Sequence, residues 1–219
     1  MTFSLLARDP ESGDIGCVAA TGNLAVGAWV LRANAAAGAA ATQGYSVSPM
    51  WGDEALARLA AGGAAEDVLK AIVDPDPGRD YRQLTVLDLN GNGAAWSGSA
   101  NTDAKGHRIG PNYVIAGNWL TDLGVLAEME AVFLSGRSTD FGRRMLTALA
   151  ACAAAGGDSR GTQSAAIRIV GRDRCPLDLR IDNDDRPIER LRMLYDIATN
   201  PPYSQWVESV PTLNDPHRY

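Results

Sequence analysis

The sequence predicts an α+β fold of mainly antiparallel sheets with helices packed outside them. Three observations carry this reading. Strand-like runs open the chain, helical runs follow, and strands and helices return without sustained βαβ alternation. The segment RQLTVLDLNGNGAAWSGSA is a clear hairpin, two alternating runs around Asn90–Gly93. The 219 residues are 46% hydrophobic, enough for a sizeable core in one domain.

The elements follow in order. TFSLLAR alternates from residue 2, with Thr2 and Ser4 on one face and Phe3 and Leu5 on the other. DPESGD is a turn, and IGCVAATG is the hairpin partner. AAAGAAATQG is a strand of small residues, which implies closely approaching backbones. GDEALARLAAGG is a helix with Ala55, Leu56 and Leu59 on one face, and AAEDVLKAIV repeats the pattern with Val68, Leu69 and Ile72. DPDPGRD interrupts before the hairpin. NYVIAGN is a further strand. Helices are expected over 122–135 and 139–155, stopped by Gly156-Gly157. QSAAIRIVGRDRCPLDLRID is a final strand pair. Pro187 opens the helix PIERLRMLYDIAT, with Ile188, Leu191 and Tyr195 on one face. Residues 1–200 form one domain, and 201–219 are a Pro-rich tail over the surface.

Composition narrows the function. The formal net charge is −6, and Lys70 and Lys105 are the only lysines. Nucleic acid and anionic membrane are therefore not expected partners, since both need clustered cations. No apolar run approaches the roughly 20 residues that span a bilayer, and a secretory signal is not expected. A cytoplasmic protein is expected. Cys17, Cys152 and Cys175 lack C-x-x-C spacing, so neither a disulfide framework nor a zinc site is expected. Trp119, Trp206 and Pro201-Pro202 are expected on the surface, where they favour a homodimer.

Several motifs fail. DLNGNG matches the start of a calcium loop, but Ser99 stands where the bidentate Glu belongs. IDNDDRP gathers Asp182, Asp184 and Asp185, which fit a solvated helix-capping loop better than metal-assisted hydrolysis. No P-loop, G-x-G-x-x-G or G-x-S-x-G occurs. Of the two histidines, His217 lies in the tail and His107 in a loop before a strand, with no serine directed at it. No metal or cofactor is expected.

Polar residues survive at apolar strand ends: Thr42 and Gln43 in ATQG, Asn118 in AGNWL, and Asp158, Arg160, Gln163 and Ser164 in GGDSRGTQS. The structural alternatives are an Asp158–Arg160 pair and an Asn118 helix cap.

Five colinear stretches are similar to one family: TFSLLARDPESGDIGCVAATGNLAVGAWV, AGAAATQGYSVSPMWGDEAL, GHRIGPNYVIAGNWL, GGDSRGTQSAAIRIV and DLRIDNDDRPIERLRML. Together they resemble the domain-of-unknown-function 1028 family from Thr2 to about Leu194. The resemblance implies a four-layer α-β-β-α sandwich like that of N-terminal nucleophile (Ntn) hydrolases. It also implies a reading of Thr2. Once Met1 is removed, a terminal threonine supplies a hydroxyl nucleophile and, in its α-amine, a base that titrates near about 7.7–8. The function expected is an Ntn-type amidohydrolase cleaving a small amide. Asn118 would be the oxyanion donor. Asp158, Arg160 and Ser164 would hold the terminal ammonium or a substrate carboxylate, with Gln43 and His107 supporting. The alternative is a non-catalytic ligand-binding or assembly protein of the same fold.

Overall fold

The computed structural model describes residues 2–101, 104–136 and 140–219. Its elements are β1 (Thr2–Arg8), β2 (Ile15–Thr21), α1 (Val26–Trp29), β3 (Leu31–Asn34), β4 (Gly38–Gly44), α2 (Pro49–Ala60) and α3 (Ala65–Val73). A 3-10 turn (Arg79–Tyr81) precedes β5 (Arg82–Asp88), β6 (Gly93–Ser97), β7 (Gly106–Gly110) and β8 (Tyr113–Asn118). The chain ends with α4 (Gly124–Ser135), α5 (Phe141–Ala154), β9 (Ser164–Val170), β10 (Leu177–Ile181), α6 (Pro187–Thr199) and α7 (Tyr203–Val207).

Among the described residues the strands form two antiparallel sheets. The larger has six strands in the order β10-β9-β2-β1-β8-β7, and the smaller has four in the order β3-β4-β5-β6. The fold is α+β, as the strand and helix order predicts.

Period-two alternation divides every central strand between two environments. In β1, Phe3, Leu5 and Ala7 face α4 and α5 in a core with Leu126, Met129, Met145 and Leu149. Leu6 faces the other way, into a cluster shared with the smaller sheet. There Ile15, Cys17 and Ala19 of β2 meet Ala39 and Ala41 of β4 and Leu87 of β5. Where β4 enters it, the seam between the sheets is lined by alanine, as the small-residue run of β4 leads one to expect. Ala40, Leu84 and Val86 take the opposite face of the smaller sheet and pack on Trp51, Ala55, Leu59, Val68 and Ile72 of α2 and α3.

The differences from the sequence reading have local causes. The single turn of α1 and the four-residue β3 are too short to show a period. His107 lies in β7, an edge strand, not in a loop. β7 exposes His107, Arg108 and Ile109, so its existence depends on pairing with β8 rather than on a buried face of its own. The tail contains the short helix α7. Trp119 is half-buried and stacked on Tyr45, with ring centroids 6.2 Å apart, so it is not part of an open surface; Trp206 is exposed. Asn118 does not cap a helix, because α4 begins at Gly124 with Leu123 at its cap position. No described helix is long and apolar enough to cross a membrane.

All three cysteines are free; Cys17 of β2 is buried in the seam between the sheets, and Cys152 of α5 is buried against the other face of the larger sheet. Burial pushes each of these two thiols up to about 12, so both stay protonated and shielded at neutral pH. Cys175 is half-buried. Thiol titration of the native protein is expected to label Cys175 alone, and unfolding in denaturant should release the other two. Native labelling of Cys17 or Cys152 contradicts this packing.

Candidate active site

The seam that is apolar at one end is polar at the other. Strand register aligns Ser164, Thr21, Thr2 and Asn118 side by side across β9, β2, β1 and β8. Each shares its face with a seam residue two or four positions away: Ala166, Ala19, Leu6 and Val114. In the smaller sheet, Gln43, Gln83 and Ser97 form a second polar row across β4, β5 and β6. Thr2, Thr21, Asn118, Ser164, Gln43 and Gln83 are all buried. Buried polar groups at this density need partners, and the two rows supply them to each other.

Gln83 joins the rows. Its Nε2 donates to the main-chain oxygens of Gly106 and Gly117, each at 3.0 Å, and to Ser97 Oγ at 2.7 Å. Those carbonyls only accept, which fixes the amide and turns Gln83 Oε1 toward the other two amides. Oε1 accepts from Gln43 Nε2 at 2.6 Å and Asn118 Nδ2 at 3.1 Å. Gln43 is thereby fixed as well. Its Nε2 also reaches the Thr2 carbonyl at 3.3 Å, and its Oε1 accepts from Ser4 Oγ at 2.8 Å. Two backbone carbonyls of the larger sheet thus set the orientation of three buried amides beside Thr2.

Thr2 begins β1 and pairs with the last residue of each neighbouring strand, Thr21 of β2 and Asn118 of β8. After these the chain leaves regular strand geometry at Gly22 and Trp119. Thr2 Oγ1 donates to Thr21 Oγ1 at 3.2 Å. A cavity of about 370 Å³ lies beside Thr2, walled by Thr2, Thr21, Gln43, Val30, Trp119 and Arg160 among others. This volume lies near the lower end of the roughly 300–1,000 Å³ found for small-molecule sites.

Gly22 and Trp119, which follow β2 and β8, are both tied to the loop after α5. Asp158 Oδ2 accepts the Gly22 N–H at 2.6 Å, and Oδ1 accepts the Arg160 N–H at 2.8 Å. The Arg160 guanidinium contacts both Asp158 oxygens at 3.3 Å and stands 5.3 Å from the centre of the Trp119 ring. Trp119 is in the left-handed region (φ 57°), which swings its ring out of the strand line toward Tyr45 and Arg160. Gly22 has no room for a side chain: a Cβ there would lie 2.6 Å from the Gly161 carbonyl and 2.7 Å from Asp158 Oδ2.

The predicted residues divide into groups. Thr2, Gln43 and Arg160 line the cavity. Asn118 is the register partner of Thr2 but stands behind the wall. Asp158 is buried and holds Arg160 and Gly22, so the expected Asp158–Arg160 pair is present. Ser164 serves the backbone, donating to the Asn23 carbonyl at 2.7 Å and accepting the Val26 N–H at 3.1 Å. His107 does not line the cavity. Its Nδ1 lies 3.0 Å from Ser97 Oγ, so a serine is directed at it after all, and partial desolvation holds its imidazole below the ordinary range. Asp182, Asp184 and Asp185 do not gather a metal site, since no cluster of His, Cys, Asp or Glu among the described residues is arranged to hold an ion. Asp182 pairs with Arg180 at 2.9 Å, and Asp184 accepts the Arg186 N–H at 2.7 Å. Asp88 in the calcium-like DLNGNG accepts N–H groups from Asn90 and Asn92, as a hairpin turn requires.

Sequence reasoning missed Gln83, Thr21 and Ser97. Gln83 and Thr85 alternate with Leu84 and Val86, a pattern that a solvated strand face would share. Only the register with Gln43 reveals that Gln83 faces inward.

The model of the family of unknown function DUF1028 matches residues 2–191. The chain belongs to that family. A crystal structure of protein SPO2555 from Silicibacter pomeroyi, described under the same family, is similar across the whole molecule. The two are 44% identical with a TM-score of 0.94, and the match covers 99% of this chain and 98% of that one. No curated protein matches. All the residues that line the cavity lie within the DUF1028 match.

The Gln83 amide gives a sharp test. Gln83→Leu leaves the Gln43 and Asn118 donors and two backbone carbonyls short of partners in a buried seam. At about 1–3 kcal/mol per orphaned group, the loss should exceed about 3 kcal/mol in denaturant unfolding. Gln83→Glu should also destabilise at neutral pH, because its carboxylate can accept from Gln43 and Asn118 but repels the Gly106 and Gly117 carbonyls. A Gln83→Leu protein as stable as the parent would show that the two rows do not depend on this amide.

Proposed function

We propose that this DUF1028 protein is an Ntn-type amidohydrolase in which Thr2, freed by removal of Met1, cleaves a small amide. The observation that carries the reading is the position of Thr2: the first residue of a central strand, with its hydroxyl beside a cavity. The four-layer α-β-β-α sandwich belongs to the same proposal. Its support is that α4, α5 and α6 contact the larger sheet and α2 and α3 the smaller, with the sheets packed on each other between them.

The chemistry needs little beyond the strand end. The Thr2 α-amine accepts the proton of Oγ1 as that oxygen attacks the amide carbonyl. The oxyanion role expected of Asn118 is not part of this proposal, because its amide is bonded to Gln83 behind the cavity wall. Collapse of the intermediate breaks the C–N bond, and the departing amine takes the proton from the α-ammonium. An acyl ester remains on Thr2. Water activated by the same amine hydrolyses it, releasing the carboxylic acid and restoring Thr2. The amide rows keep the strand end from shifting during these steps, because Gln43 holds the Thr2 carbonyl. A homodimer through the exposed Trp206, Tyr203 and Ile197 face remains part of this proposal, and light scattering tests it.

Thr2→Ala should abolish hydrolysis of any small amide found as a substrate, while the fold survives. Thr2→Ser should retain activity. Because the neutral amine is the base, kcat/KM should fall as pH drops through the α-amine range, about 7.7–8. If Thr2→Ala turns over such a substrate as fast as the parent, the cavity serves binding alone.

A further inference from the structure

We infer that β10 is the contact strand of a homodimer: two copies pair antiparallel along their free β10 edges, Leu179 against Leu179, and join their larger sheets into one continuous sheet. The inference rests on the homodimer in the preceding reading and deepens it, and it does not depend on the hydrolytic chemistry.

The free edge comes first. β10 ends the order of the six-stranded sheet, and among the described residues it pairs with β9 alone. A strand edge of this kind presents a row of main-chain donors and acceptors, which is a template for another strand. Folds often cover such an edge. Here α7 leaves a cavity of about 410 Å³ along it, lined by Leu177, Asp178 and Leu179 of β10 and by Thr199, Tyr203 and Val207 across from them. Successive residues of a strand point to opposite faces, so a cavity that reaches all three of these β10 residues follows the edge itself.

The charges come second. Asp178 and Arg180 share one face of β10, while Leu177, Leu179 and Ile181 share the other and pack against the core under α6. Leu179 lies midway between the two charges. When two copies pair with Leu179 opposite Leu179, Asp178 of each lies opposite Arg180 of the other, and Leu177 lies opposite Ile181. Neighbouring registers fail. A slip of two residues sets Asp178 opposite Asp178 or Arg180 opposite Arg180. A slip of one lays the charged face of one copy beside the apolar face of the other. Both side chains have capacity for the contact. Asp178 Oδ2 accepts from Arg168 at 2.6 Å, and its Oδ1 has no partner among the described residues. Arg180 uses Nε and Nη2 on Asp182, and its Nη1 is likewise open among the described residues. The opposite edge strand, β7, carries Arg108 and no acid, so it has no such self-complement.

The apolar surface comes third. The same register sets Leu179 and Ile181 of the second copy beside Leu179 and Leu177 of the first, in the cavity that Tyr203 and Val207 border. A two-fold axis through Leu179, perpendicular to the sheet, brings α6 of both copies to the same side of the joined sheet. Ile197 of α6 and Trp206 of α7 are 67% and 59% exposed in the single chain. These two helices flank the join and add the apolar area that a five-residue ladder lacks.

Light scattering and sedimentation of the full-length protein test this, with circular dichroism to verify the fold of each variant. The parent should form a dimer of the 23.1 kDa chain. Asp178→Arg and Arg180→Asp each set like charges opposite one another at both crossings, and each should weaken dimerisation by about 10-fold or more. Mixing the two variants should restore the affinity, because one copy then carries arginine at both positions against aspartate at both positions of the other. Leu179→Cys in a Cys175→Ser background gives a second reading without any change of charge. Directly opposed Cα atoms lie about 4.5–5.5 Å apart, within disulfide reach, so mild oxidation should yield a covalent dimer. A dimer that neither charge variant weakens, that the mixture fails to restore, or that Leu179→Cys does not cross-link overturns the β10 interface and leaves the Trp206 face as the route to a homodimer. A parent that stays monomeric at high micromolar concentration overturns both. Amide hydrolysis is read separately through Thr2→Ala, so its failure bears on the nucleophile reading alone.

Discussion

The bond from Gln43 Nε2 to Gln83 Oε1 is the interaction on which the rest of the site depends. It lies at the polar end of the seam between the sheets, where six buried polar side chains replace the alanines and valines found farther along. An amide pair in such a place is stable only if its other atoms are also matched, since an orphaned buried group costs about 1–3 kcal/mol. Here they are matched by main-chain carbonyls at Gly106, Gly117 and Thr2 and by the hydroxyls of Ser4 and Ser97. The sheets are thus locked to each other by hydrogen bonds at one end and by close-packed small side chains at the other. The locked end is where Thr2 begins its strand.

That arrangement explains how a strand terminus becomes a site. Chain ends usually fray, because few contacts oppose their entropy. Thr2 is held by ladder pairing to both Thr21 and Asn118, by its carbonyl on Gln43 and by its hydroxyl on Thr21. Gly22 and Trp119, which follow the two neighbouring strands, are linked beside the cavity by Asp158 and Arg160. A left-handed Trp119 and a glycine at position 22 are the local departures from regular strand geometry that make room for the bridge.

Much of this was legible in the sequence, and the reasons for the rest are physical. Alternation in TFSLLAR correctly separates Thr2 and Ser4 from Phe3 and Leu5, because a strand buried on both faces still shows the polarity of each. Polar residues at the ends of apolar runs pointed to Gln43, Asn118, Asp158, Arg160 and Ser164, all of which lie within this end of the fold. Their division of labour was not legible. Ser164 and Asp158 hold backbone, and only register with distant strands shows this. Gln83 was overlooked for the same reason, since its inward direction comes from pairing with Gln43 rather than from its own neighbours. β7 was misread because an edge strand with exposed His107 and Arg108 owes its conformation to β8.

The central claim is that Thr2 is the reacting residue of this DUF1028 protein, and covalent capture tests it most directly. A β-lactone acylates an activated hydroxyl and leaves a stable mass increment. After treatment of protein that has lost Met1, peptide mapping should place a single increment on Thr2, and protein that retains Met1 should acquire none. An increment on another residue, or equal labelling of a Thr2→Ala protein, would contradict the account.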